Sequence, residues 1–86
     1  SELFAVLMAT LHKQQELLYI NILELGAAVG AFHLKDDVRT IAQTLVALED
    51  ICGIRMVQND PEYDHAESKR LLLAYARLAT GVDLPE

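Results

Sequence analysis

The sequence predicts an all-α domain of three helices, and three observations carry that prediction. Apolar residues recur at steps of three and four along most of the chain. No strand-type alternation, internal repeat or low-complexity tract interrupts them. Capping residues and glycines divide the pattern into segments of about 2–25, 37–57 and 61–80.

The first segment starts at Ser1, a good N-cap, with Glu2 where a carboxylate favours the positive end of the helix dipole. Phe4, Met8, Leu11, Leu18, Ile22 and Leu25 then form a seam of coiled-coil spacing, in which Gln15 is the one polar member. A second apolar line, Leu3, Leu7, Leu17, Ile20 and Leu23, lies on another face. Between the two halves, residues 12–16 are polar all the way round. His12, Gln15 and Glu16 in that turn form either a register-fixing layer in a helix interface or a wet turn between two contacts. Gly26 is the expected stop. The small residues of 26–31 suit either a tight connection or a helical continuation that lets another backbone approach. A helix of this length spans roughly 36 Å and overhangs a compact domain of this size.

Asp36 or Asp37 caps the second helix, whose expected core stripe is Val38, Ile41, Leu45, Leu48 and Cys52. Asp60 caps the third, with Pro61 at its first position and Glu62 and Asp64 in its first turn. Its expected apolar line is Leu71, Ala74, Tyr75 and Leu78, and Gly81 ends it. The tail Val82-Asp83-Leu84-Pro85-Glu86 is short enough to fray.

Eighty-six residues make one domain, 1–86, with a thin core, yet 52% of them are hydrophobic. Such a chain needs somewhere to put apolar surface. Thirteen acids against seven bases, a net charge of −6, disfavour a phosphate-binding face, and the basic residues are scattered. The single Cys52 excludes an intrachain disulfide framework and sits where a packing residue belongs. No basic segment followed by a small-residue cleavage site opens the chain, so a cytoplasmic protein is expected. Residues 17–34 approach the length of a membrane span, but Glu24 near the centre, helped by Asn21, weighs against one.

The sharpest chemical pattern is Glu62-Tyr63-Asp64-His65. On a helix, this E-x-x-H spacing puts a carboxylate and an imidazole on one face, and helical di-iron bundles use such a pair twice. Here it occurs once, and capping explains the acids equally well. No catalytic constellation and no cofactor motif stand beside it. The expected function is a non-enzymatic interaction module, a small adaptor, regulator or assembly subunit. It would act as a homo-oligomer, a dimer in the first instance, through Phe4, Met8, Leu11, Gln15, Leu18, Ile22 and Leu25, completing a multi-helix bundle, with another protein as a second kind of partner. The alternative is a metal-binding bundle in which Glu62 and His65 are completed across a dimer.

Overall fold

The computed structural model describes residues 1–83. Its helices are α1 (Glu2–Ala28), α2 (Val38–Val57) and α3 (His65–Thr80), with a single 3₁₀ turn over Pro61–Tyr63 before α3. The domain is all-α, as the spacing predicts. Leu84, Pro85 and Glu86 of the predicted tail lie outside the described residues.

Helix α1 begins as expected, with the Ser1 hydroxyl accepting from the Phe4 amide at 3.2 Å. It does not stop at Gly26. That glycine is buried inside the helix, which runs two residues further and is capped by Val29. The chain reverses at Gly30, whose φ of 78° lies in the left-handed region. Gly26 serves a different purpose: a Cβ there would fall 2.2 Å from the ring of Phe32. The Gly26 carbonyl accepts from the amides of Ala31 and Phe32, which folds the connection back onto the helix. The same connection is tied to α3, because the His33 and Lys35 amides donate to the Thr80 and Ala79 carbonyls, each at 2.8 Å.

Gly26→Ala is therefore expected to lower stability. Overpacking costs ~1–3 kcal/mol, against a helix-propensity gain of ~1 kcal/mol. Urea denaturation should show a lower midpoint, partly recovered when Phe32→Ala is added. A higher midpoint for Gly26→Ala alone would show that the ring yields freely.

Asp37 caps α2, its carboxylate accepting from the Thr40 amide at 2.9 Å and the Thr40 hydroxyl at 2.7 Å. Those hydrogen bonds hold its carboxyl below the usual aspartate range. Asp36 accepts from the Asp37 amide and so supports the cap from outside. At the far end, Asp60 accepts from the Glu62 amide at 3.0 Å and from Arg55 Nη1 at 2.9 Å. These two contacts, the amide first, hold its carboxyl low too. Arg55 also lies over the Tyr63 ring, 5.1 Å from its centroid.

The predicted third helix breaks at this point. Asp60 and Pro61 start only the short 3₁₀ turn, and Asp64, in extended conformation, caps α3 separately by accepting from the Glu67 amide at 2.8 Å. Gly81 ends α3 at φ 70°, as expected.

Helix α2 is the central element and packs against both α1 and α3. The core gathers Leu23 of α1, Ile41, Ala42 and Leu45 of α2, and Ala79 of α3, with Tyr19, Ile20, Phe32, Leu72, Tyr75 and Ala76 around them. Among the described residues, Ile41 is the large side chain that is fully buried, and Cys52 is buried in the last turns of α2. On α3 the core face is Ser68, Leu72, Tyr75, Ala76 and Ala79 rather than the predicted Leu71, Ala74, Tyr75 and Leu78. Leu78 is 74% exposed.

Candidate interaction surface on the first helix

In its middle turns, the face that α1 turns toward α2 is polar, and only further on do Ile20 and Leu23 reach the core. His12, Gln15, Glu16 and Tyr19 are half-buried, while the leucines flanking them are exposed. His12 Nε2 lies 2.8 Å from Asp50 Oδ2, at ion-pair separation but off the line of an N–H donor. Glu16 lies 3.7 Å from Lys13 and 3.9 Å from Arg39. Tyr19 donates its hydroxyl to Glu49. Burial first, then the Glu49 hydrogen bond and charge, push the Tyr19 phenol well above its usual value, so it stays a neutral donor. The central turn of α1 is thus a polar layer inside the chain, between α1 and α2. Gln15 Oε1 is buried there without a hydrogen-bond partner.

With that polar layer turned inward, a strip of α1 faces outward with nothing against it among the described residues. Every residue from 1 to 7 is exposed. Phe4, Leu7, Leu11, Leu18, Ile22 and Leu25 remain between 47% and 66% exposed. Of the seven seam positions predicted from sequence, Phe4, Leu11, Leu18, Ile22 and Leu25 lie on this outward strip. Met8 and Gln15 are rotated toward α2 and partly covered, and Leu7, assigned by sequence to the other face, takes its place among them. Ile22 also walls an apolar groove of about 220 Å³ between α1 and α3, whose floor is Leu23 and Leu45 and whose far wall is Leu72, Leu73 and Ala76.

The size of the uncovered surface can be judged against what a compact chain exposes. The accessible surface is 5962 Å². A compact monomer of 9.6 kDa exposes about 5,100 Å². The backbone spreads over 42 × 31 × 16 Å with a radius of gyration of 14.2 Å, against roughly 12 Å for a compact domain of this length. The excess, roughly 900 Å², is on the scale of the ~800 Å² that one partner contributes to a standard protein interface.

No protein-family model, curated protein or solved structure matches this chain. Function must therefore be argued from the surface itself.

The E-x-x-H pair does not form the helical arrangement its spacing predicts. Glu62 belongs to the 3₁₀ turn and His65 to the first turn of α3, with extended Asp64 between them. Glu62 borders an open, charged depression with Pro61, Lys69 and Arg70, whereas His65 borders the groove between α2 and α3 beside Met56 and Cys52. The break at Asp64 is the cause: a 3₁₀ turn followed by an extended residue does not keep the 3.6-residue helical period. Among the described residues, no three His, Cys, Asp or Glu side chains are grouped to hold a metal ion. Likewise, no described helix is long and apolar enough to cross a membrane.

Proposed function

We propose that this protein is a non-enzymatic interaction module that self-associates through the outward face of α1. The observation that carries the proposal is the strip Phe4, Leu7, Leu11, Leu18, Ile22 and Leu25, each about half exposed or more along nearly the whole helix. Apolar surface costs about 25 cal/mol for each Å² left in water, and single domains rarely present a continuous strip of this extent without a partner. Self-association is favoured over capture of a different chain because each copy offers the same unfilled strip. A small adaptor, regulator or assembly subunit is the class of role this supports, in a cytoplasmic setting.

The test is the mass of the native protein in solution. Sedimentation equilibrium or light scattering at low micromolar concentration should give at least twice 9.6 kDa. A stable species of 9.6 kDa across that range would overturn the proposal.

A further inference from the structure

The outward strip has a symmetry of its own. From Phe4 through Leu7, Leu11, Leu18 and Ile22 to Leu25, the steps are three, four, seven, four and three residues, the same from either end. Its centre falls between Gln14 and Gln15. We infer that two copies pair through α1 in antiparallel orientation about a twofold axis at this point, on the reading that the protein self-associates through this face.

In that register Phe4 meets Leu25 of the second copy, Leu7 meets Ile22, and Leu11 meets Leu18, each pair occurring twice. A parallel arrangement would set each residue against its own copy and would place Gln14 and Gln15 side by side in one layer. An isologous interface requires one patch that is complementary to itself when turned by half a revolution, and a strip with the same steps from both ends meets that condition, with one polar interval at Gln14 and Gln15 on the axis. Its spacing of three and four residues is that of a knobs-into-holes seam.

The exposed area agrees with a second copy as the occupant. The six side chains are each about half exposed, presenting roughly 600–700 Å² per chain before their neighbours are counted, near the ~800 Å² per partner of a stable interface. At the centre of the strip Gln14 is exposed, so the twofold axis passes through a polar position between the two apolar halves. The same placement sets Leu7 of the second copy beside Ile22, at the mouth of the groove walled by Leu72 and Leu73.

Disulfide trapping of the full chain tests the register. In a Cys52→Ala background, Leu7→Cys and Ile22→Cys are made separately. Both positions are exposed, so the fold tolerates the change. The proteins are mixed under reducing conditions to exchange subunits and then oxidised. A covalent dimer should form in the mixture and be lost when either protein is oxidised alone, because positions 7 and 22 meet only across the antiparallel pair. Covalent dimers formed equally well by each protein alone would overturn the antiparallel register in favour of a parallel one, while leaving self-association intact. A non-covalent dimer by light scattering that yields no trapped product in the mixture would overturn the α1 register in the same way. A monomer by light scattering before oxidation would overturn the self-association reading itself.

Discussion

Leu18→Asp and Ile22→Asp are each expected to separate the subunits without unfolding the chain. Leu18 is 59% exposed and Ile22 47% exposed in the single chain, so a carboxylate at either position stays solvated in the monomer and costs its fold little. In the paired state the same carboxylate is enclosed by apolar side chains. Losing a buried leucine or isoleucine forfeits ~1.5–3 kcal/mol, and stranding an unpaired charge adds several kcal/mol. A twofold interface takes each loss twice, so the dissociation constant should rise at least about a hundredfold, which ~2.8 kcal/mol already supplies. Sedimentation should show the mass falling to 9.6 kDa while the circular dichroism stays helical. An assembly of unchanged mass in both variants would remove the outward face of α1 as the contact.

Ile41→Ala is expected to act on the fold itself. Ile41 is completely buried at the centre of the core, on the helix that holds α1 and α3 together. Removing its outer carbons leaves a cavity that neighbours fill only in part, at ~2–5 kcal/mol. A domain of this length has a total stability on the order of 4–13 kcal/mol, so the loss is a large share of it. The urea midpoint should drop steeply, and the variant should become more sensitive to protein concentration than the parent, since association with a second folded copy stabilises only the native state. A drop of under about 1 kcal/mol would mean that the core repacks around the missing volume. Comparing the two experiments separates the core from the contact surface. The aspartates should change mass and spare helicity, and Ile41→Ala should lower stability even where the mass is retained.

Much of the architecture was legible in the residues. Helix starts at Ser1 and Asp37 both depend on a side-chain oxygen reaching an amide three residues ahead, a local interaction that needs nothing from the rest of the chain. The left-handed stop at Gly81 is equally local. The misplacements have a common cause. Gly26 was assigned as a stop because glycine commonly ends helices, but its function is steric, to admit Phe32, and that partner becomes visible only once the chain folds back. Asp60-Pro61 carries a good helix start, yet Arg55 and Tyr63 hold it as a separate turn, so Glu62 and His65 lose the common face their spacing implied. On α3, the expected line through Leu71, Ala74, Tyr75 and Leu78 gives way to one through Leu72, Tyr75, Ala76 and Ala79, because packing against α2 sets the rotation of the helix.

Helix α1 shows most clearly where sequence ends and tertiary structure begins. Its amino acids alone determined that it is a long helix with apolar residues on more than one side and a polar turn in the middle, because the helical period and the capping chemistry are properties of neighbouring residues. They did not determine which side faces inward. Hydrophobicity alone would have sent a leucine face to the core. Instead the pairing of His12 with Asp50 and Tyr19 with Glu49 turns the polar middle of the helix toward α2, so that Leu23 enters the core while Leu7, Leu11, Leu18 and Leu25 stay outside. That choice depends on which charges α2 presents when the two helices meet, and it leaves an apolar strip of the same steps from both ends facing away from the chain's own core.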